Sequence, residues 1–344
     1  MSMGNDINKN FGQMQQTWIV AEIGVNHEGN VTRAEDMIRL AADAGADAVK
    51  FATFRIEHYV STVQPERRER IAPFALGHDE FRRLANVAGE CGVTFFSTPL
   101  HPHDVDFLDT LAPLFKIASG DLNNTTFIRY VLSKGKPTII STGYGNADDV
   151  ARMVETVIEE RPSARDDGSV MLMHCVGAYP TPADDLNLRN MQWLKDTFGL
   201  PVGFSDHTLG IKACELAVAM GAVAVEKHFT YRKEDQDWHD HAVSSNPEDM
   251  KELVAAVRGA EVYLGAYARG PEHNTAETRI IDMRRSPGAA VDISAGAPLE
   301  RDWLTWLRPA WGLAADDLNA LIGRRLNRDV PAGDLIREED LEDG

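Results

Sequence analysis

Two histidines stand at the ends of two apolar runs in the second half of the chain. His207 follows the run PVGFSD, His228 follows the run GAVAVEK, and a segment of helical pattern lies between them. Strand, helix and strand form the repeating unit of a parallel barrel, whose strands all exit at one face. Imidazole and carboxylate groups suit a Mn²⁺-like divalent ion, so the two histidines predict a metal site with Glu22 or Asp240 as an oxygen ligand.

Two lysines occupy positions inside otherwise apolar runs, Lys50 in DAVKFATF and Lys116 in LFKIAS. An unpaired ammonium group at a buried position costs several kcal/mol, so such a lysine is normally paired or neutral. An anionic ligand is a suitable partner. Together with hydroxyl groups and the backbone amides of the SG and TG turns, the lysines predict a receptor for a phosphate and a carboxylate. The hydroxyl groups belong to Thr98, Ser119, Ser141 and Ser205.

Polar residues follow the other predicted strands as well. A single serine, threonine or histidine at a strand end is more often a turn-forming or structural residue. Their occurrence after all eight strands is what favours a function. The Tyr-Pro-Thr-Pro segment at 179–182 is either a rigid turn or a loop that presents Tyr179 to a ligand. The further polar residues at these exits are Glu22, Asn26, His27, Glu28, Ser97, Asp121, Thr142, His174 and Lys227.

The elements that must position these residues alternate between β-branched or aromatic runs and helical patterns, as is typical of βαβ units. Strands are predicted at 18–23, 48–51, 93–97, 114–118, 138–141, 170–174, 201–205 and 222–227. Helices are predicted at 32–44, 78–90, 104–111, 125–133, 147–160, 187–198, 211–220 and 247–264, with Thr32 as the first N-cap. Eight strands predict an α/β fold, the (β/α)8 TIM barrel. A doubly wound sheet has the same periodicity, and the repeated glycine-led helix ends favour the barrel.

Domain boundaries follow from a change of pattern after the last helix. Residues 1–16 are predicted to be a disordered lead and 17–264 the barrel, and 265–283 form a polar linker rich in Gly and Pro. The remaining segment, 284–344, contains the repeats VDISAG and RDVPAG. This repeat predicts a small, pseudo-symmetric, β-rich domain with irregular turns.

Composition restricts the class of protein. The 344 residues carry a formal net charge of −18, and the calculated pI is about 5.0. This charge argues against nucleic acid as a partner, although a few Lys and Arg residues can still attract a small anion in a cleft. The three cysteines lack CxxC spacing, and we expect a reducing cytoplasm. Because the sequence has no apolar run of about 20 residues, we expect no membrane partner.

Over nearly its whole length, the chain resembles the sialic acid synthase (N-acetylneuraminate synthase) family. The second module, with Arg284-Arg285-Ser286 and the D-hydrophobic-x-A-G repeat, resembles the antifreeze-like (SAF) domain of these enzymes. The matching segments are AEIGVNH at 21–27, VKFATF at 49–54, STP at 97–99, FKIASGD at 115–121, STG at 141–143, HC at 174–175 with YPTP at 179–182, GFSDHTLG at 203–210 and EKHFT at 226–230.

The resemblance implies condensation of phosphoenolpyruvate with an N-acetylated hexosamine or related aldose, giving a nonulosonic acid and phosphate. It implies that His207 and His228 bind Mn²⁺ or Mg²⁺, and that Asp121 stands where the family has an acidic residue for proton transfer. It also implies a domain-swapped homodimer, in which Arg284 or Arg285 reaches the partner's sugar site. The implied phosphoenolpyruvate ligands are Lys50, Thr98, Lys116, Ser119, Ser141 and Ser205, and the implied sugar contacts are Glu22, Tyr179 and Asp240.

Four features depart from the family pattern. Ala52 replaces the usual glutamine of VKFQTF, Tyr144 replaces a methionine after STG, Gly177 replaces a polar residue, and the WHDH segment at 238–241 replaces GPDH. All four alter the aldose side and leave the phosphoenolpyruvate side unchanged.

Two other functions fit parts of the sequence. A desolvated Lys50 or Lys116 also suits a Schiff-base aldolase, in which the amine is the nucleophile. The antifreeze-like module and the missing glutamine suit a non-catalytic protein that binds carbohydrate or ice. Two buried lysines with two metal-type histidines favour the enzyme.

Overall fold

The structure, a computed structural model, describes residues 10–234, 236, 238, 240–265 and 277–342. The chain divides into two units, residues 1–265 and 266–344. The first unit holds an eight-stranded sheet, and the second holds a two-stranded sheet.

All eight predicted strands are present, with ends that differ from the prediction by at most two residues. Their buried patterns agree with strands covered on both faces. They are β1 (Trp18–Gly24), β2 (Ala48–Thr53), β3 (Thr94–Pro99), β4 (Phe115–Ile117), β5 (Thr138–Ser141), β6 (Val170–His174), β7 (Val202–Asp206) and β8 (Ala224–His228).

The eight strands are parallel, and the first strand, β1, pairs with the last, β8. Their order is β3-β2-β1-β8-β7-β6-β5-β4, and β1 pairs with β8 from Trp18 opposite Ala224 to Glu22 opposite His228. β3 and β4 lie side by side at the remaining seam. The predicted TIM-like α/β fold is confirmed, and all strands exit at one face.

Helices cover the outside of this sheet. The first begins at Val31, one residue before the predicted N-cap Thr32, because the side chain of Asn30 accepts the Arg33 amide at 3.0 Å and caps the helix. Among the described residues, no helix is both long and apolar enough to cross a membrane. The helices of the first unit are α1 (Val31–Asp43), α2 (Ile56–Tyr59), α3 (Pro65–Ile71), α4 (His78–Cys91), α5 (Pro102–Asp109), α6 (Thr125–Leu132), α7 (Ala147–Glu160), α8 (Ala164–Asp167), α9 (Asn190–Phe198), α10 (Lys212–Ala219), α11 (Asp240–Val243) and α12 (Pro247–Leu264). The helix α13 (Glu277–Met283) belongs to the second unit.

The two largest apolar clusters among the described residues of the first unit lie on either side of the sheet. One lies between the sheet and the helices, and the other fills the lower barrel interior with Trp18, Phe96 and Met171. Phe11 joins the interior cluster and is buried, within a short 3-10 helix at Phe11–Gln13. Residues 11–13, within the lead predicted to be disordered, are therefore structured, because the Phe11 ring closes the lower barrel. Residues 1–9 of that lead lie outside the described residues.

The repeats of the second unit pair with each other. Asp292 accepts the Ala332 amide at 2.8 Å, and Asp329 accepts the Ala295 amide at 2.8 Å. Between them, Ile293 and Val330 form an antiparallel bridge. The two repeats thus bond to each other reciprocally, which explains the repeated aspartate. The unit's sheet consists of β9 (Ser286–Ala289) and β10 (Leu304–Leu307).

The segment predicted as a linker, 265–283, is partly helical. Its last seven residues form α13, whereas residues 266–276 lie outside the described part of the chain.

Candidate active site

A cavity of about 1580 Å³ opens at the carboxyl ends of the strands of the first unit. Alternate residues of each strand face inward, so the cavity is lined in layers. The lower layer forms a charged and hydroxylated floor, and the layer above it forms the mouth. Floor residues are Glu22, Lys50, Thr98, Lys116, Ser141, Ser205 and Glu226; mouth residues include Ala52, Leu100, Ala118, Cys175, His207 and His228.

One carboxylate organises the floor. Glu226 lies 3.2 Å from Lys50 Nζ and 3.3 Å from Lys116 Nζ, and it accepts a hydrogen bond from Ser205 Oγ at 3.1 Å. Lys50 also lies 3.0 Å from Glu22 Oε2. All four charged side chains are buried. The sequence prediction that each buried lysine needs an anionic partner is therefore met within the protein.

Burial and pairing set the ionisation of these groups. Burial raises the pKa of Glu22 to about 7, against the lowering effect of Lys50. Burial also opposes ionisation of Glu226, but Lys116 and Lys50 lower its pKa to about 2. Burial lowers the pKa of Lys116, whereas for Lys50 the carboxylates of Glu22 and Glu226 outweigh burial and raise it. Glu22 is thus the one of the two floor carboxylates that can exchange a proton near neutral pH.

The predicted hydroxyl groups surround the lysines. Lys50 Nζ donates to Thr98 Oγ1 at 3.4 Å. Ser119 Oγ accepts the Gly143 amide at 3.0 Å, which joins the SG and TG turns. Ser141 Oγ is buried and has no hydrogen-bond partner within the described residues. A buried hydroxyl group without a hydrogen-bond partner is uncommon, and it fits a group whose partner is a bound ligand.

The two histidines adjoin at the mouth. Their ring centroids are 5.4 Å apart. His207 Nδ1 lies 2.7 Å from the Val176 carbonyl, so it carries the proton, and Nε2 accepts the hydrogen bond of Tyr179 Oη at 3.0 Å. Burial lowers the pKa of both rings, that of His228 to about 3, so both are neutral at pH 7. His228 Nδ1 is buried without a hydrogen-bond partner among the described residues.

The protonation and hydrogen bonding of the two histidines agree in part with the predicted metal site. Neutral imidazole is the form that binds metal, and a carbonyl that fixes one ring nitrogen leaves the other as the ligand. However, His, Cys, Asp and Glu side chains form no group of three placed to hold a metal anywhere in the described chain. The structure therefore provides two candidate ligands and not a complete protein shell.

The acidic and aromatic residues that were predicted on the sugar side also line this cavity. Asp121, Tyr179 and Asp240 line it together with Glu22. Burial raises the pKa values of both Asp121 and Tyr179. Asp121 ends a short 3-10 helix that follows β4, and Asp240 begins α11 after β8. The loops after three different strands thus bring these groups to one mouth.

Arg284 and Arg285 belong to the second unit. Both are exposed, and Arg285 donates to the Trp306 carbonyl at 3.4 Å. Their predicted contact with a partner's sugar site stays a prediction.

Of the further strand-exit residues named from the sequence, Glu22 and Asp121 line the cavity, and Glu226, which also lines it, was overlooked. The others lie outside the cavity lining: Asn26, His27, Glu28, Ser97, Thr142, His174 and Lys227. Lys227 points away from the cavity and pairs with Asp206 at 2.9 Å, between the sheet and the helices. Glu226, its neighbour, faces inward. The alternation of β8 was the available signal: because His228 faces inward, Glu226 must share its face and Lys227 must oppose it.

Comparison with known proteins agrees with this geometry. The NeuB family model matches residues 37–269, and the SAF domain model matches residues 285–342. The chain belongs to the NeuB family. Another member of similar length is the N,N'-diacetyllegionaminic acid synthase of Legionella pneumophila, 36% identical over 96% of each chain. The human N-acetylneuraminate-9-phosphate synthase is 31% identical over 95% of this chain and 93% of its own.

The solved structures include a NeuB-like neighbour from Leptospira borgpetersenii, an N-acetylneuraminic acid (sialic acid) synthetase in complex with citrate. It has a TM-score of 0.70 at 31% identity and covers 75% of this chain and 88% of its own. The predicted family resemblance is confirmed, and so is the SAF domain.

Proposed function

We propose that this protein condenses phosphoenolpyruvate with an aldose, an N-acetylated hexosamine or a related sugar, to give a nonulosonic acid and phosphate. The observation that carries the proposal is the floor in which two buried lysines and a ring of hydroxyl groups converge. NeuB-family relatives named as synthases of such acids support it.

Phosphoenolpyruvate binds on this floor. Its phosphate and carboxylate groups take Lys50, Lys116 and the hydroxyls of Thr98, Ser119, Ser141 and Ser205 as ligands. Without substrate, Glu226 and Glu22 hold the lysines in place. Each ammonium group has three N–H donors, so substrate oxygens can bind beside the carboxylates at fixed ammonium positions, and little reorganisation is needed.

The reaction forms a bond between C3 of phosphoenolpyruvate and the aldehyde carbon. The aldehyde oxygen gains a proton, water adds at C2 and loses a proton, and phosphate leaves to give the C2 ketone. Glu22, with its pKa of about 7, and Asp121, whose carboxyl is also raised in pKa by burial, are suited to hold or release these protons.

His207 and His228 would hold Mn²⁺ or Mg²⁺, with the remaining ligands from water and substrate. When bound, such an ion polarises an aldehyde carbonyl as a Lewis acid. The Val176 carbonyl orients the His207 ring through Nδ1, and the Tyr179 hydroxyl, which donates to Nε2 in the structure, would have to give up this nitrogen to the ion. Glu22, Tyr179 and Asp240 would contact the aldose.

The quaternary arrangement is part of the proposal and rests on the family resemblance. A domain-swapped homodimer would bring Arg284 or Arg285 of one subunit to the sugar in the other. Mixing an Arg284→Ala, Arg285→Ala variant with a Lys116→Met variant should restore activity through subunits that complement each other. Failure to restore any activity in mixed dimers would count against the swap.

The three cysteines are free in the structure, which suits the expected cytoplasmic location.

The test is phosphate release from phosphoenolpyruvate with Mn²⁺ and a panel of aldoses. At least one aldose should release phosphate and give a product with the mass of the condensed acid. Release from none of them would overturn the proposal.

A Schiff-base aldolase is the second candidate, because burial lowers the pKa of Lys116 toward that of a reactive amine. Borohydride added with pyruvate would then trap a covalent adduct on Lys116. The condensing synthase predicts no adduct.

A further inference from the structure

A buried ion pair lies behind the two histidines of the cavity mouth. Asp206 and Lys227 directly precede His207 and His228, and they stand opposite each other in the register of β7 and β8. Lys227 Nζ lies 2.9 Å from Asp206 Oδ2. Neither residue of the pair lines the cavity, whereas both histidines do. Any effect of the pair on a bound ligand must therefore pass through the histidines.

The ion pair extends the connection between the two strands past the end of their backbone pairing, which ends at Asp206 and Lys227. Lys227 Nζ also donates to the Thr208 carbonyl at 2.5 Å. Asp206 Oδ1 accepts the Thr208 amide at 2.8 Å. The residue that follows His207 is thereby joined both to the end of β8 and to the residue that precedes His207.

The pair is suited to fixing geometry. Both side chains are at most 1% exposed, and Cys214 Sγ of α10 lies 3.5 Å from Asp206 Oδ2, so each carboxylate oxygen has a partner. A buried ion pair contributes little more to stability than apolar side chains of similar size, because the cost of removing two charges from water offsets their attraction. Its directed hydrogen bonds, by contrast, hold the groups that they join in one arrangement.

The position of His207 relative to His228 depends on such a link. The carbonyl of His228 accepts the Ser245 amide at 2.7 Å, which anchors the end of β8. His207 lies beyond the last residue of β7, where the backbone pairing with β8 has ended. The two ring centroids are 5.4 Å apart. Side chains that share a ligand must be held within about 0.5 Å of their productive positions.

We propose that Asp206 and Lys227 are positioning residues, which hold the rings of His207 and His228 at the separation where both bind one divalent ion. This inference rests on the metal site of the proposed function. The pair touches neither the ion nor a substrate. It acts through the backbone on each side of His207.

The test replaces the pair by neutral residues of similar size. In the double variant Asp206→Asn, Lys227→Met, the asparagine oxygen still accepts the Thr208 amide, no charge is left unpaired, and the link between the strands is lost. The variant should fold. Its Mn²⁺ affinity should fall roughly tenfold to a hundredfold, the range for residues that orient metal ligands. Electron paramagnetic resonance of free Mn²⁺ measures this affinity, and wild-type affinity in the folded variant would overturn the inference.

A second variant keeps the charges of the pair. Asp206→Glu retains the ion pair and lengthens the link by one methylene group, so it should fold even where the neutral pair does not. We expect a smaller, few-fold loss of Mn²⁺ affinity. Wild-type affinity in this variant, where it is the one that folds, would equally overturn the inference.

An ion pair near the start of β1 provides the matched control. Asp47 accepts the Ile19 amide at 2.8 Å and lies 2.8 Å from Arg258 Nη2, so it too joins a backbone amide to a cation. Asp47→Asn, Arg258→Met should alter the unfolding temperature and leave Mn²⁺ affinity at the wild-type level. Equal losses of affinity in the two double variants would show that metal binding follows overall stability, and would overturn the positioning role.

Metal binding and turnover separate this inference from the proposed reaction. The expected loss of Mn²⁺ affinity, with no phosphate release from any aldose in the wild type, would support the positioning role and overturn the reaction. Phosphate release by a wild type that binds no Mn²⁺ would support the reaction and overturn the positioning role.

Discussion

The phenol ring of Tyr144 lies directly against the backbone of Gly177. A β-carbon placed on Gly177 would stand 2.5 Å from Cζ of Tyr144, well inside contact distance. Tyr144 lines the cavity and is 63% exposed. Only a residue without a side chain leaves the ring this position. Both residues depart from the pattern of sialic acid synthases, and their contact explains why the two departures belong together.

Gly177→Ala should push the Tyr144 ring out of its position and change aldose binding. The expected result is a several-fold change in the KM for the aldose with the KM for phosphoenolpyruvate unchanged, because the floor lies below the contact. Steady-state kinetics of phosphate release measures both constants. In a Tyr144→Ala background the alanine at 177 should have little further effect. Additive effects of the two changes would show that the contact does not position the ring.

Lys116→Met should weaken phosphoenolpyruvate binding by roughly tenfold to a hundredfold. A hydrogen bond to a charged group contributes about 1.5–3 kcal/mol, and 1.4 kcal/mol corresponds to tenfold. Glu226 keeps Lys50 and Ser205 as partners in this variant. Calorimetric titration with phosphoenolpyruvate gives the affinity. Lys212→Ala removes an exposed lysine of α10, outside the cavity lining, and should bind as the wild type does. Equal affinity of the Lys116 variant would remove this lysine from the phosphate site.

His207→Ala and His228→Ala should each abolish Mn²⁺ binding, since each ring supplies one of the two candidate ligands. Electron paramagnetic resonance of free Mn²⁺ measures binding without turnover. Tyr179→Phe removes the hydroxyl that occupies His207 Nε2, the nitrogen left to bind a metal, and keeps both rings, so metal affinity should stay at the wild-type level or rise. Wild-type affinity in either alanine variant would contradict the ligand assignment.

Asp104 should make the barrel less stable as pH rises. Burial raises the pKa of this carboxyl from 3.8 to about 6, and its Oδ2 has no hydrogen-bond partner within the described residues. The folded state thus binds the proton more tightly than the unfolded state. The resulting stabilisation is complete below about pH 4 and is lost as pH rises through 6. Relative to Asp104→Asn, the wild type should lose on the order of 2 kcal/mol between pH 4.5 and 7.5.

Calorimetric unfolding of the barrel across this range provides the measurement, and a neighbour on the same helix provides a control of opposite sign. Lys134 and Tyr130 hydrogen-bond to Asp106 and lower its pKa. Its stabilisation is present at neutral pH and lost as pH falls, so Asp106→Asn should be the less stable protein at pH 7.5. Parallel pH curves for the wild type and Asp104→Asn would contradict the assignment.

Much of the fold was predictable because its signals are local. Buried parallel strands are short apolar runs, and helix ends carry caps such as Gly92, which adopts the left-handed conformation at the end of α4. The first helix start was missed by one residue because Asn30, and not Thr32, makes the capping hydrogen bond. The burial of Phe11 was missed because a single aromatic residue in a polar segment forms no helical or strand pattern with its neighbours.

The site was predictable to the level of residue types at strand ends. Lys50, Lys116 and the hydroxyl residues were identified because polar groups in apolar runs are unusual. Glu226 was missed because a glutamate next to a lysine in the sequence suggests an ion pair between the two. In a β-strand, however, the side chains of neighbouring residues point to opposite faces.

The sequence by itself determined the barrel, the repeat of the second unit and the inventory of lysines, hydroxyls and histidines, because each depends on residues that are neighbours in the chain. Only the tertiary structure decided that Glu226 bonds to Lys50 and Lys116 and that Tyr144 rests on Gly177. These are contacts between side chains from different strands and loops. Their distances depend on the register and closure of the sheet, and no local pattern encodes that register.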